Sequence, residues 1–297
     1  MHKNWEVSQT ESGCKLQAFL KNKLGKNFSA RQVKKIIESN LCQINGRTER
    51  FASFLLGAGD QVALLNTTPI CSSPIPSFER ERLLYEDDTL FIYNKPAGIA
   101  SDSSEWLTNL RRRHPSLTLV HRLDRETSGV LIFAKTHSAA QTMTELFKKR
   151  LINKEYLALV DGVPTHLSGT IDNYLIERHR YQGQTLWGAS GEAKGLHAIT
   201  EWRVEAKGPD AALIRCYPKT GRTHQLRVHL SEMGHPILGD HQYGRQFRCH
   251  YAAPRCLLHA VHINFHYPLS EKEIDADAPL PEDFRQALTQ LIGNFKQ

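Results

Sequence analysis

Apolar residues recur at helical spacing near the start of this chain. Leu16, Phe19, Leu20 and Leu24 stand at i, i+3, i+4 and i+8, which predicts an amphipathic helix. Gly25 closes it, because glycine adopts the backbone that ends a helix at little cost. Ser29 with Gln32 three residues on is a capping box that opens a second helix, with Val33, Ile36, Ile37 and Leu41 along its apolar side. The period then changes. Cys42-Gln43-Ile44 reads as a short strand, Asn45-Gly46 as a tight turn, and Gly59-Asp60 leads into the strand-like run Gln61-Val62-Ala63-Leu64-Leu65. Over 67–77 the apolar period vanishes. TTPICSSPIPS, with Pro69, Pro74 and Pro76, predicts an extended and partly stiffened linker.

From Phe78 onward strand signals dominate. Leu90-Phe91-Ile92-Tyr93, Val130-Leu131-Ile132-Phe133-Ala134 and Tyr156-Leu157-Ala158-Leu159-Val160 read as buried strands. Further strands are expected at 201–204, 211–217, 226–230 and 261–265. One helix is predicted to run from a Thr136 or Ser138 cap to Arg150. Ala140, Met143 and Phe147 would face inward, and Lys148, Lys149 and Arg150 would complement its C-terminal dipole. No G-x-G-x-x-G or phosphate-binding P-loop occurs. The expected fold class is therefore α+β: a small N-terminal αβ module followed by a mixed domain on a bent, largely antiparallel sheet.

The 297 residues suffice for about two domains. No apolar run approaches the roughly 18 residues that would span a bilayer. The opening MHKNWEVSQTESG reads as neither signal peptide nor anchor. Six scattered cysteines without a CxxC suggest reduced thiols and a cytoplasmic setting. Charge changes the picture more. Between Ser12 and Asn66 nine lysines and arginines face three acids, so this segment holds most of the formal +7. Arg31, Lys34 and Lys35 fall outside the apolar stripe of the second helix, on a face free to meet phosphates.

The richest candidate chemistry is HRLDRETSG at 121–129. Asp124 lies between Arg122 and Arg125, ahead of a turn-like Thr127-Ser128-Gly129 and a buried strand, where a rigid scaffold could hold a reactive loop. Taken alone, Asp124 reads as a solvated carboxylate in a surface ion pair, and the rest of the sequence is what points to chemistry. Cys249, Cys256, His259, His262 and His266 lie near one another, but their spacing does not match a zinc site, and no metal is expected.

Two resemblances organise these features. Residues 12–66, with two short helices, a strand, an Asn-Gly turn and a Gly-Asp strand, resemble the S-four-like RNA-binding module named after a ribosomal small-subunit protein. From Phe78 to the C-terminus, NKPAG at 94–98, HRLDRETSG at 121–129, KEYLALVDG at 154–162, TGRTHQLRVH at 220–229, GHPILGDHQYG at 234–244 and LLHA at 257–260 occur in order. Together they resemble the RluA-type RNA pseudouridine synthases, in which a basic front module is a common companion. The resemblance divides the chain into an RNA-binding domain at 12–66, a linker at 67–77 and a catalytic domain at 78–297.

What this resemblance implies is an isomerase acting on uridine in structured RNA. Large-subunit ribosomal RNA is the expected substrate and transfer RNA the alternative, with no metal or organic cofactor, no membrane partner and a monomeric chain. Asp124 becomes the essential carboxylate, kept charged by the guanidinium of Arg227, and the two are expected to form a buried pair. Arg227 could otherwise be the outward residue of a strand. Tyr156 would pack against the target uracil and assist the proton step at carbon 5; it could equally be a core aromatic. Arg122 would fill the space of the flipped uridine, and Leu123 would form pocket wall. Arg222 and His224 read as phosphate or scaffold residues. The competing reading is a non-catalytic RNA-binding or ribosome-assembly factor, against which intact Asp124, Tyr156 and Arg227 count. A zinc deaminase lacks its signature here.

Overall fold

The computed structural model of the protein describes residues 3–25, 28–38, 41–49, 52–64, 78–181, 184–192, 194–244 and 247–293. The chain forms two compact units, Met1–Pro74 and Ile75–Gln297. The expected linker at 67–77, and Leu65 before it, lie outside the described residues.

The first unit contains β1 (Lys3–Glu6), α1 (Leu16–Leu24), α2 (Ala30–Glu38), β2 (Cys42–Ile44), β3 (Arg47–Thr48) and β4 (Gln61–Leu64). Leu16, Phe19, Leu20 and Leu24 of α1 pack with Val33, Ile36 and Ile37 of α2, as their spacing requires. The capping box is made: Gln32 N–H donates to Ser29 Oγ at 3.2 Å, and Ser29 N–H donates to Gln32 Oε1 at 2.7 Å. Asn45 and Gly46 both take positive φ, 52° and 76°, which joins β2 to β3 in the twist a two-residue hairpin needs. The sheet order is β1-β4-β2-β3. β1 begins before residue 12 and pairs with β4; four residues of mixed polarity gave it no sequence signal.

The second unit is built on one large sheet. Its strands are β5 (Leu83–Glu86), β6 (Leu90–Lys95), β7 (Thr118–Leu119), β8 (Ser128–Ala134), β9 (Asn153–Asp161), β10 (Ser168–Tyr181), β11 (Gln184–Ser190), β12 (Leu196–Lys207), β13 (Ala211–Pro218), β14 (Leu258–Tyr267) and β15 (Lys272–Asp277). The order is β11-β10-β12-β13-β9-β14-β8-β6-β5, with β15 on β14 and β7 on β8. Among the described pairs only β14 with β8 runs parallel, through His259 opposite Ser128 and Ala260 opposite Gly129. The α+β class and largely antiparallel sheet are as expected.

The helices are α3 (Ser104–Arg111), α4 (His137–Lys148), α5 (Gln225–Glu232) and α6 (Glu282–Leu291). α3 buries Trp106 and Leu110 against β6 and β8. α4 is capped by Thr136 Oγ1, which accepts from Ala139 N–H at 3.2 Å. Its buried stripe is Ala139, Met143 and Leu146, one residue out of step with the expected Ala140 and Phe147, which are only half-buried. α5 and α6 share a core with β9 and β13, where Leu230 and Phe284 are fully enclosed. Enclosing a side chain such as Phe284 contributes about 1.5–3 kcal/mol.

The expected strand at 226–230 is a correction: these residues lie in α5. Leu226, Val228 and Leu230 mimic a strand's alternation because Gln225 through Leu230 are all buried, which leaves no polar face to reveal a helical period. The helix is set by its start. Gln225 Oε1 accepts from Thr220 Oγ1 at 2.7 Å and from Arg222 N–H at 3.0 Å, and Val228 N–H closes the first turn on the His224 carbonyl at 2.9 Å. Among the described residues no helix is long and apolar enough to cross a membrane.

Candidate active site

Asp124 sits on a loop that is tied down on every side. Ser101 Oγ donates to the Leu123 carbonyl at 2.8 Å and accepts from Leu123 N–H at 3.0 Å. Thr127 N–H returns to the Asp124 carbonyl at 3.1 Å, and Gly98 N–H donates to the Arg125 carbonyl at 2.8 Å. Arg255 Nη1 donates to the Glu126 carbonyl at 3.0 Å, and Cys256 N–H to Glu126 Oε2 at 3.0 Å. His121 Nε2 accepts from Ile132 N–H at 3.0 Å, its ring against Phe147. Burial pushes this imidazole down to about 3, with the charge of Lys154 adding to the effect, so it stays neutral.

Under the loop lies Lys95, fully enclosed. Its Nζ donates to the carbonyls of Pro96 (3.0 Å), Ile99 (2.9 Å) and Arg125 (3.3 Å). Burial lowers its pKa to about 7; the charge of Asp124 opposes this, and Arg255 and Arg125 reinforce it. Ser128 and Gly129 are strand residues rather than turn. Gly129 has φ 113°, and a Cβ there would lie 2.1 Å from the Ala260 carbonyl oxygen. Glycine is therefore required where β8 meets β14. Beside it, Ser128 Oγ lies 2.9 Å from His259 Nδ1, and His259 Nε2 donates to the Ala278 carbonyl at 3.1 Å.

Arg227 faces this loop from α5, with its side chain 8 % exposed. Its tight partner is Asp240: Nε to Oδ2 is 2.7 Å and Nη2 to Oδ1 is 2.8 Å. Nη2 also donates to Gln242 Oε1 at 2.9 Å, and the guanidinium stacks over Tyr243, 4.9 Å from the ring centre. Nη1 reaches Asp124 Oδ2 at 3.5 Å. Burial pulls the guanidinium down, but the charge and hydrogen bonds of Asp240 outweigh it and hold the group well above its ordinary value. Asp240 shows the converse. Burial pushes its carboxyl up, and Arg227 more than offsets that and leaves it below the usual range.

The expected buried Asp124–Arg227 pair is thus corrected. The buried pair is Arg227–Asp240, while Asp124 keeps 27 % of its side chain exposed to the cleft. Arg227 remains compensated without Asp124, because a second carboxylate already neutralises it. No local pattern in the sequence marked Asp240; its only signal was its place in the 234–244 string.

Asp124, Tyr156 and Arg227 line one open cleft of about 490 Å³, with Arg122, Leu123, Lys154, Thr220, Arg222 and His224 also in its wall. Tyr156 is half-buried on β9; burial, then the charge of Asp124, pushes its phenol well above the usual range, so it is a neutral hydroxyl. Lys154, two residues earlier, donates to the Thr220 carbonyl at 3.4 Å, and burial with the nearby charge of Arg150 lowers it to about 8. Arg122 is exposed and pairs with Asp102 at 3.1 Å, whereas Leu123 is buried. Arg222 Nε donates to the His197 carbonyl at 3.0 Å. His224, read from sequence as phosphate contact or scaffold, has Nε2 3.9 Å from Asp124 Oδ1. Arg31 and Lys34 are exposed on α2 of the first unit; Lys35 is also on α2, its side chain outside the described residues.

The five residues weighed as metal ligands are not assembled. Cys249 and Cys256 are buried, His259 is engaged as above, His262 faces Glu155 and Asp275, and His266 faces Glu271 and Glu273. Among the described residues, the potential ligand atoms that converge within 4.8 Å belong to His262, Asp275 and Asp277 on the β14–β15 pair.

A cleft that offers an accessible carboxylate, a buried cation and a neutral phenol can hold a small ring and act on it without a free thiol or serine nucleophile. Comparison with known proteins identifies the chemistry. Residues 89–232 match the family model described as RNA pseudouridylate synthase. Ribosomal large subunit pseudouridine synthase C of Vibrio cholerae is 32 % identical, over 96 % of this chain and 96 % of the relative. Ribosomal large subunit pseudouridine synthase D of Zymomonas mobilis is 36 % identical, over 71 % of this chain and 72 % of the relative. Among solved structures, human RNA pseudouridylate synthase domain containing 4 superposes with a TM-score of 0.61 at 28 % identity, over 71 % of this chain and 93 % of that one. With similarity running the length of both proteins, the chain belongs to the RNA pseudouridylate synthase family, in the RluA type that its motifs resemble.

Proposed function

We propose that this enzyme converts specific uridines of large-subunit ribosomal RNA to pseudouridine, with Asp124 as the essential carboxylate. The relatives' names support the substrate class. The observation that carries the assignment of Asp124 is its accessible side chain in a cleft shared with Tyr156 and Arg227.

The reaction is an isomerisation. The bond from the ribose C1′ to uracil N1 breaks, the base turns, and C1′ rejoins at C5; the C5 proton leaves and N1 gains one. Asp124 supplies the negative charge the first step needs, as nucleophile or as base toward the ribose. Arg227 sets its orientation from one side. Tyr156 packs on the uracil and, as a neutral hydroxyl, serves the proton transfer at C5. Arg122 leaves Asp102 to occupy the gap of the flipped nucleotide, Leu123 walls the pocket, and Arg222 contacts phosphate. Base extrusion costs a few kcal/mol, which these contacts offset.

In the same reading, residues 12–66 are an S-four-like RNA-binding domain whose Arg31, Lys34 and Lys35 meet phosphates, 67–77 is a linker, and 78–297 is the catalytic domain. The test is chemical mapping of pseudouridine in unmodified large-subunit ribosomal RNA incubated with wild-type enzyme and with Asp124→Asn. Wild-type product at discrete sites and none from the variant is the expected result. Product from Asp124→Asn would remove Asp124 from the chemistry, and product confined to transfer RNA would overturn the substrate.

A further inference from the structure

We infer that His224 is a positioning residue for the reaction: its imidazole, oriented by Tyr243, presents an N–H to the Asp124 oxygen that Arg227 does not reach. This rests on the reading of Asp124 as the essential carboxylate.

His224 stands immediately before α5 at φ 57°, ψ 16°, a left-handed conformation uncommon for a residue with a side chain. The conformation turns the ring into the cleft, between Asp124 and Tyr243. The orientation of the ring then follows from hydrogen-bond accounting. Trp187 N–H donates to the Tyr243 hydroxyl oxygen at 3.2 Å. That oxygen lies 2.7 Å from His224 Nδ1. The hydroxyl accepts from Trp187 and has a proton of its own to give to Nδ1, while Nε2 faces a carboxylate oxygen that only accepts. Burial pushes the Tyr243 phenol up to about 12, which keeps that proton in place. A hydrogen on Nε2, with Nδ1 accepting from Tyr243, serves both contacts.

Nε2 is 3.9 Å from Asp124 Oδ1, while Arg227 Nη1 is 3.5 Å from Oδ2. The two carboxylate oxygens are addressed by different donors from the two ends of one turn of α5. Both distances exceed a tight hydrogen bond, and catalytic hydrogen bonds in free enzymes commonly shorten when substrate closes the site. The shared support is Tyr243, whose face stacks under Arg227 and whose hydroxyl sets His224. One aromatic side chain therefore aligns both donors. With one oxygen held by His224 and the other by Arg227, the carboxylate plane is fixed toward the bound uridine.

The test compares His224→Gln with His224→Met. Both carry the same strain at φ 57° and similar bulk, but only Gln keeps a donor near the Nε2 position. Single-turnover rates and RNA affinity are measured on in vitro transcribed large-subunit ribosomal RNA, beside wild type and Asp124→Asn. Met is expected to slow the single-turnover rate by about 10- to 100-fold, Gln to stay within about fivefold of wild type, and both to bind RNA within about twofold. Tyr243→Phe, which keeps the stack on Arg227 but frees the imidazole, should lose about 3- to 10-fold in rate. If Met does not fold, His224→Gly, unstrained at this φ, takes its place and must show the same loss. Equal rates for Gln and Met, or a loss seen in affinity rather than rate, would overturn the inference while active wild type and inactive Asp124→Asn leave the broader reading intact. A wild-type enzyme that forms no pseudouridine would overturn both.

Discussion

The two walls of the cleft are held by different physics. The wall that carries Asp124 is fixed through its backbone: Leu123, Asp124, Arg125 and Glu126 each have a main-chain group bonded to a defined donor or acceptor. The wall that carries Arg227 is fixed through charge, by a bidentate contact to the enclosed Asp240. The Asp124 side chain therefore bears little of the architecture. Asp124 can face the solvent of the cleft because its loop is held by main-chain bonds, whereas the cation opposite is locked to the enclosed carboxylate of Asp240.

This contrast can be broken most forcefully with paired substitutions. Asp124→Asn is expected to abolish pseudouridine formation while leaving the thermal midpoint within a few degrees of wild type. Asp240→Ala should cost about 3–5 kcal/mol of stability, because it strands a buried guanidinium, and should also lower the rate. Urea unfolding with pseudouridine mapping on both variants checks this. A stable Asp240→Ala protein would show that Arg227 does not need its buried partner.

The next effect is set by pH. Burial lowers His229 to about 4 and His259 to about 4, below the unfolded value of about 6.5. Between those values the unfolded chain binds protons that the folded chain refuses, so stability is full above pH 6.5 and falls as pH drops toward 4. At pH 5 each histidine should cost on the order of 2 kcal/mol. His121, the histidine of the loop itself, acts in the same direction. Urea midpoints at pH 7 and pH 5 measure the loss; a flat profile would contradict the neutral, buried state of these rings.

A finer cut tests the backbone wall alone. Ser101→Ala removes both bonds to Leu123 and should cost about 1–3 kcal/mol, with a fall in single-turnover rate and little change in RNA affinity. If the rate were unchanged, the loop would be held well enough by its other contacts. The smallest expected effect lies in the first unit. Arg31→Gln should reduce the slope of log affinity against log salt by about one and weaken RNA binding several-fold at low salt. An unchanged slope would take Arg31 off the phosphate-contacting surface.

How much of this was legible in the sequence divides along the same line. Local signals read correctly where one face is dry and the other wet. α1 and α2 followed from apolar spacing, the Ser29–Gln32 box was made, and Asn45-Gly46 turned as expected. The pattern failed where everything is enclosed, so α5 looked like a strand. It also missed the β10–β11 hairpin, where half-exposed strands are built from charged and polar residues without clean alternation. At the site, the motif strings carried Asp124, Tyr156 and Arg227 into one cleft. Asp240 and Ser101 act through Arg227 and Leu123, and Lys95 ties its neighbours Pro96 and Ile99 to the distant Arg125; no spacing rule reaches such partners.

The parallel junction of β8 with β14 has a consequence for the order of events on the ribosome. Ser128 meets His259, 131 positions further along the chain, and the carbonyl that forbids a side chain at Gly129 belongs to Ala260. During translation the loop that carries Asp124 leaves the exit tunnel long before the strand that seats it has been made. Until then Ser128 and Gly129 lack a partner on the edge where β7 covers only Phe133 and Ala134, and bare edges invite wrong pairing. The seat of this loop is therefore completed only late in synthesis.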